Sequence, residues 1–394
     1  MTRLNAQGLV AALALAAAAA VSLGTARFAY ALLLPAMRAD LGWSYFTAGV
    51  MNTANAAGYL VGALALPRLL RRFDARTLML LGGAAAALLL ALHGATRSEA
   101  TLLGLRWACG MASAASFVCG GVLAARLASQ AAAGLVLGTY YGGTGLGIVA
   151  SALVVPPLVA GSAGGWATAW WVLGALSLGA TALTAAGTRS LRAPPLAGAA
   201  RRSLPLQPFA FGLAGYLMFG LGYIGYMTFI VTLLREQGLA AATVTLFYVV
   251  LGLGVVASTW LWAGLLQRHR GGRPLATLNG LLALATALPV LSAHPLAVFV
   301  SGALFGSVFL SVVASTTALV RHNAEPAHWP AGIAAFTIVF AAGQIVGPSL
   351  TGAIADGPGG LLRGLAWSAA ALALGAVLSA LQRERPPLTG PGRS

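Results

Sequence analysis

The sequence is poor in charge, and above all in negative charge. Only 8% of its 394 residues are charged, and the acidic ones number seven. Lysine is absent, so all 23 basic residues are arginine, which we attribute to coding bias and not to chemistry. Soluble domains contain about 25% charged residues. This composition therefore excludes a soluble globular protein.

Cysteine is also scarce. Cys109 and Cys119 lie on one predicted helix, about 15 Å apart along its axis. That separation is too long for a disulfide bond. The cysteines therefore give no information about the redox compartment.

Clusters of catalytic side chains are missing as well. A membrane enzyme needs His together with Asp or Glu near an interface, whereas the five histidines here are scattered. The spacing of His322, Glu325 and His328 suits a solvated loop better than a metal site. We therefore expect no enzymatic activity, no metal and no cofactor.

Apolar residues, by contrast, are abundant, at 59%. Apolar stretches long enough to cross a bilayer predict an all-α polytopic membrane protein with twelve transmembrane helices. The first stretch is too long for a secretory signal, and similar stretches follow it, so we interpret it as a mature span. The predicted spans are 8–36, 43–66, 77–93, 100–125, 131–157, 167–187, 207–234, 243–266, 275–293, 296–320, 331–355 and 362–381.

The arginines are distributed unevenly between the two sides of these spans. With the N-terminus inside, seventeen fall in cytoplasmic segments, and Arg38, Arg97, Arg235 and Arg363 fall in outer segments. This bias predicts a multi-pass protein of the bacterial inner membrane with both termini cytoplasmic. It also explains the net charge of +16 without nucleic acid. We expect a monomer embedded in the lipid bilayer.

The two halves of the chain resemble each other. The loop from Pro67 to Arg76 is matched 197 residues later by the loop from Gly264 to Arg273, and Gly143 and Gly147 are matched 200 residues later by Gly343 and Gly347. Such a duplication is typical of transporters with a binding site between two halves. We predict six-helix halves at 1–188 and 207–394, joined by a cytoplasmic linker at 189–206.

Two arginines lie inside spans. Arg27 precedes Pro35 by eight residues, so it lies about 12 Å from that end of its span, and Arg106 lies at a similar depth. No Asp or Glu falls inside any span. Two guanidinium groups without carboxylates favour an anionic ligand, since guanidinium binds carboxylate with two hydrogen bonds. Alternatively, backbone carbonyls, hydroxyls and amides satisfy each arginine, and for Arg106 the two interpretations are equally supported.

Other polar side chains in the spans are candidates for the same site. Tyr30 shares a helix face with Arg27 at one turn, and aromatic residues form a stripe along span 7. Each of these polar side chains could instead serve helix packing, and the Asn55 side chain favours this role because amides commonly form hydrogen bonds between membrane helices. The complete set of predicted substrate-binding residues is Arg27, Tyr30, Asn55, Arg106, Tyr140, Tyr223, Tyr226 and Gln344.

Several motifs resemble those of the major facilitator superfamily. The loops after spans 2 and 8 are similar to its Gly-x-Leu-x-Asp-Arg-x-Gly-x-Arg signature, although Arg71 and Arg268 replace the acidic residue. Arg106 belongs to a similar span-4 motif. The run from Arg27 to Tyr30, followed by Leu33-Leu34-Pro35-x-Met37, resembles the bacterial YbfB/YjiJ-like branch. The resemblance implies a cavity lined by spans 1, 4, 7 and 10.

Together these observations predict a secondary active or facilitative transporter of a small organic anion, a carboxylate, that works by alternating access. The alternative is efflux of amphipathic drugs or metabolites. The coupling partner stays open between a proton, a counter-anion and none.

Overall fold

The computed structural model describes residues 5–130, 133–161, 164–191 and 204–384. Within these ranges the chain forms twelve long helices and no strand. They are α1 (Ala6–Leu41), α2 (Tyr45–Leu69), α3 (Ala75–His93), α4 (Glu99–Gln130), α5 (Ala133–Ala160), α6 (Gly165–Gly187), α7 (Ala210–Glu236), α8 (Ala241–Leu261), α9 (Arg273–Leu291), α10 (Pro295–Asn323), α11 (Trp329–Ala355) and α12 (Gly360–Ala380). These helices correspond to the twelve predicted spans, which confirms the all-α membrane fold.

Some helix ends differ from the prediction. The first span was predicted to end at residue 36, where the apolar stretch ends, next to Pro35, a residue that interrupts helical hydrogen bonding. Instead, α1 continues through Pro35 to Leu41 and ends at Gly42, whose positive φ of 67° suits glycine. The α8 helix ends at Leu261, and a short helix, Ala263–Arg268, follows it.

Eleven helices in the described part of the chain are long and apolar enough to cross a membrane. The other long helix, α2, has 25 residues, enough to cross a hydrocarbon core of about 30 Å. Its polar residues Asn52, Thr53 and Asn55 lower its mean hydropathy. Large apolar side chains such as Leu81 of α3 and Leu183 of α6 are exposed. The chain is therefore a multi-pass membrane protein whose exposed apolar surface faces lipid.

Equivalent helices pack together in the two halves. The α2–α4, α3–α6 and α1–α5 pairs are repeated as α8–α10, α9–α12 and α7–α11. The main contacts between the halves join α5 with α8 and α2 with α11. This arrangement is pseudo-symmetric. We call the end where α1 meets α2 the α1–α2 end, and the opposite end, where α2 meets α3, the α2–α3 end.

The matched glycines explain part of this symmetry. A Cβ atom at Gly143 or Gly147 would collide with the backbone of α1. In the other half, a Cβ atom at Gly343 or Gly347 would collide with the backbone of α7. Equivalent glycines thus permit equivalent close helix contacts.

Much of the predicted linker cannot be compared with the structure. Residues 192–203 lie outside the described part of the chain. The linker bounds 189–206 and the half bounds 1–188 and 207–394 therefore stay predictions.

Candidate functional site

The helix around Arg27 is not a regular α-helix. Ala20–Phe28 is π-helical, with hydrogen bonds that reach back five residues, such as the 3.0 Å bond from the Ala29 N–H to the Gly24 carbonyl. π-Helical segments are rare in proteins, and those that occur often lie at functional sites. The wider turn changes which residues face the bundle interior.

Arg27 is a buried cation with few partners. It is 4% exposed, and its Nη2 donates to Oε1 of Gln344 on α11. Its Nε is buried without a hydrogen-bond partner. The Cζ atom lies 5.8 Å from the ring centroid of Tyr59 and 6.0 Å from that of Phe28. Among the described residues, no carboxylate pairs with Arg27, so its charge and its Nε donor favour an additional acceptor.

Gln344 joins three helices at one atom. Its Oε1 accepts the bond from Arg27 on α1 and a 2.7 Å bond from the Tyr223 hydroxyl on α7. Arg27 and Gln344 are 317 residues apart and belong to opposite halves. The structure therefore brings three predicted site residues, Arg27, Tyr223 and Gln344, into one hydrogen-bonded group.

Arg106 has a different environment. It is 1% exposed and donates to the carbonyls of Met51 at 3.3 Å and Ala26 at 3.1 Å, and to Oδ1 of Asn52 at 3.0 Å. Its Cζ atom lies 4.6 Å from the ring centroid of Tyr30. These contacts tie α4 to α1 and α2, and they favour the structural interpretation of Arg106. The bond to Ala26 also places the two arginines at one level of the bundle.

Tyr30 and Asn55 form hydrogen bonds that join neighbouring helices around Arg106. The Tyr30 hydroxyl donates to the Ala48 carbonyl at 3.0 Å, and Nδ2 of Asn55 donates to the Arg106 carbonyl at 3.1 Å. The Oδ1 atom of Asn55 is buried without a partner. Both residues adjoin the site, and their hydroxyl and amide donors are already engaged.

Two predicted site residues lie elsewhere. The Tyr226 hydroxyl shares a 2.7 Å hydrogen bond with Ser301 of α10, and its ring stacks on Phe305 at 4.0 Å. The Tyr140 hydroxyl donates to the Phe117 carbonyl. Neither hydroxyl reaches the group around Arg27.

The bundle is closed between Arg27 and the α1–α2 end. Hydrogen bonds cross between the halves from Asn52 to Thr228 at 2.7 Å and from the Tyr248 hydroxyl to the Phe28 carbonyl at 2.7 Å. The interior here is tightly packed, and Phe28 makes an edge contact with Phe309 of α10 at 5.7 Å.

Charged groups strengthen this closure at the α1–α2 end. The Asp356 carboxylate accepts the N–H groups of Tyr45 at 2.8 Å and Phe46 at 2.9 Å, at the N-terminus of α2. Arg38 pairs with Glu236 at 3.6 Å. Carboxylates at a helix N-terminus are favoured by the helix dipole. Both contacts join opposite halves.

All seven acidic residues are described, and none of them lies in the interior of a long helix, as predicted. Asp40, for example, pairs with Arg97 and accepts a 2.8 Å bond from the Trp166 indole. It does not reach Arg27 or Arg106. The described residues also contain no group of three His, Cys, Asp or Glu side chains that could hold a metal ion.

Four aromatic side chains that are partly or fully exposed lie on the helices between the level of Arg27 and the α2–α3 end. Tyr59 of α2, Phe117 of α4 and Phe340 of α11 are partly exposed, and Tyr141 of α5 is 39% exposed. The ring centroids of Phe117 and Tyr141 lie 6.0 Å apart. We call these four side chains the aromatic vestibule.

The predicted set of site residues contains none of the four vestibule residues, and Phe340 is one of those it missed. It precedes Gln344 by four residues, so the two share a helix face. That spacing is the signal that would have identified it.

Comparison with known proteins identifies the family. Residues 19–380 match the family model described as "Uncharacterised MFS-type transporter YbfB". The chain belongs to this family of major facilitator superfamily transporters. The chain is thus a transporter and not an enzyme, as the sequence predicts. A comparison with curated protein sequences finds no match.

Solved structures agree on the fold. The nucleoside transporter NupG matches with a TM-score of 0.72 and 14% identity, over 95% of this chain and 99% of NupG. A bacterial homologue of the human lysosomal transporter Spinster, inward-facing and unoccupied, matches with a TM-score of 0.68 and 14% identity, over 96% of this chain and 95% of the homologue. At this identity the likeness concerns the fold alone.

Proposed function

We propose that this transporter carries a small organic anion, a carboxylate, by alternating access, with Arg27 as the anchor for the anionic group. The observation that carries the proposal is the buried guanidinium of Arg27, which has one acceptor, an unpartnered Nε and no carboxylate partner among the described residues. A charge inside a membrane protein is costly and marks a functional site by default. A substrate carboxylate would supply the missing acceptors with two charge-assisted bonds.

Gln344 accepts from an Arg27 donor that a substrate carboxylate would also use. Its Oε1 accepts a hydrogen bond from Nη2 of Arg27, and this bond holds α11 against α1. A carboxylate oxygen is a stronger acceptor than a neutral amide. The incoming anion displaces Gln344 from Arg27, and the bond between the halves at this level is lost. Substrate binding is thereby linked to their relative movement.

The arginine bias supports an inner-membrane orientation with the α2–α3 end in the cytoplasm. In that orientation the closed α1–α2 end faces outward and the aromatic vestibule faces inward. The empty transporter then takes up its substrate from, or releases it to, the cytoplasm. The matched glycines of α5 and α11 allow close helix packing within each half, so that each half can move as a unit.

A second candidate function is efflux of amphipathic compounds. The partly exposed rings of the vestibule favour it, because aromatic surfaces also bind lipophilic cations by cation–π contacts. Such substrates do not need Arg27. The two functions therefore differ in their dependence on this residue.

The test is thermal unfolding of the purified protein with a panel of small carboxylates, neutral sugars and lipophilic cations. A ligand at 100 times its dissociation constant stabilises the folded protein by about 2.7 kcal/mol. We expect at least one carboxylate to raise the Tm of the wild type and to have no effect on Arg27→Gln.

The matched control is Arg235→Gln, which removes the same charge from an exposed helix end. This variant should respond to carboxylates as the wild type does. If lipophilic cations alone raise the Tm, and do so equally in Arg27→Gln, the anion proposal is wrong and efflux replaces it.

A further inference from the structure

The surroundings of Arg27 restrict the kind of carboxylate that fits. Arg106 already donates to three acceptors, so Arg27 is the guanidinium with free capacity at this level. One guanidinium matches one carboxylate. A second anionic group on the substrate would lie beyond the reach of this guanidinium, among aromatic rings.

The vestibule offers mainly ring faces, and its side-chain hydrogen-bonding groups are the two hydroxyls of Tyr59 and Tyr141. Two of its four members are phenylalanines, and the Tyr59 ring lies 5.8 Å from Cζ of Arg27. A buried hydroxyl without a partner costs about 1–3 kcal/mol. Sugar acids, which carry several hydroxyls, would incur this cost for every hydroxyl that does not pair with Tyr59 or Tyr141, whereas an apolar body would not.

The ring of Phe340 is held in a fixed plane. It stacks on Phe219 at 5.3 Å and 8°, and on Tyr223 at 5.6 Å and 21°. Tyr223 in turn donates to Gln344, which accepts from Arg27. Tyr59 lies directly beside the anchor. Phe340, from the opposite half, is thus linked to it through Tyr223 and Gln344. The fixed ring faces of Tyr59 and Phe340 suit a substrate in which a planar ring is attached to the anionic group that binds Arg27.

From this geometry we propose that the substrate is an aromatic monocarboxylate, with its carboxylate on Arg27 and its ring against Tyr59 and Phe340. The inference rests on the proposed anion transport and narrows its substrate class. Aromatic pairs gain energy from offset or edge-to-face packing beyond the area they bury. A saturated ring of the same size lacks this gain.

The test compares benzoate with cyclohexanecarboxylate, which have the same charge and nearly the same size. We expect isothermal titration to give about tenfold tighter binding of benzoate, since two aromatic contacts are gained. In Tyr59→Leu the preference should fall below about threefold, with binding of cyclohexanecarboxylate largely retained. Phe340→Leu should act in the same way. Phe211→Leu, which changes an exposed ring on α7, is the matched control and should keep the full preference.

The outcomes separate this inference from the proposal on which it rests. Equal binding of both acids, lost in Arg27→Gln, would refute the aromatic class and leave anion transport intact. An unchanged preference in Tyr59→Leu and Phe340→Leu would also refute it. If neither acid binds and only lipophilic cations do, both proposals fail together.

Discussion

Replacing Gln344 with glutamate should hold the transporter in its empty form. The substitution keeps the side-chain length and places a carboxylate oxygen where Oε1 now accepts from Arg27 and Tyr223. The bond from Tyr223 now joins neutral groups and contributes about 1 kcal/mol, whereas a bond to a charged acceptor contributes about 1.5–3 kcal/mol, and the bond from Arg27 becomes one between opposite charges. The extra stabilisation, about 1–2 kcal/mol, must be overcome by an incoming anion. Its affinity should therefore fall about 5–30-fold.

The assay is titration of benzoate, together with the Tm of the empty protein. Gln344→Glu should raise that Tm while weakening the binding of the anion. The control is Gln344→Leu, which removes the acceptor without adding charge and should bind the anion at least as tightly as the wild type. Benzoate affinity in Gln344→Glu equal to that of the wild type would refute the idea that Gln344 and the substrate compete for Arg27.

Two further predictions concern residues around this site. Arg106→Gln should lower the free energy of unfolding by about 3 kcal/mol or more, measured as a reduced Tm, because three acceptors lose a charged donor; an unchanged Tm would contradict the structural role. Asp356→Asn should destabilise the closed arrangement of the α1–α2 end by about 1 kcal/mol, since the substitution removes a negative charge from the N-terminus of α2. Labelling of Ala48→Cys by an impermeant maleimide should then rise about fivefold, against a low background from the buried Cys109 and Cys119. No increase would mean that Asp356 does not hold this end closed.

The sequence predicts the fold well, because a bilayer imposes a simple rule on it. A stretch of about 20 apolar residues must be helical in lipid, so twelve such stretches determine twelve helices. The repeated glycines also anticipate their equivalent packing, in which Gly143 lies against α1 and Gly343 against α7. Even so, α1 passes through Pro35, which local propensity does not predict.

The site is harder to predict, since its contacts join residues that are distant along the chain. Arg27 and Gln344 were both identified, but nothing local pairs residues 317 positions apart. The π-helical turn at Ala20–Phe28 changes the faces that a 3.6-residue period assigns. The partners of Arg106 are mostly backbone carbonyls, which every sequence contains. The burial of a charged side chain can thus be predicted from the sequence, whereas the number of its hydrogen-bond partners cannot.

The most direct test of the account is uptake of radiolabelled benzoate into proteoliposomes that contain the purified transporter. The account predicts uptake by the wild type and by Arg235→Gln that saturates with concentration. Arg27→Gln, reconstituted to the same level and with a similar Tm, should show no uptake above that of empty liposomes. Full uptake by Arg27→Gln would contradict the central claim that Arg27 anchors a transported anion.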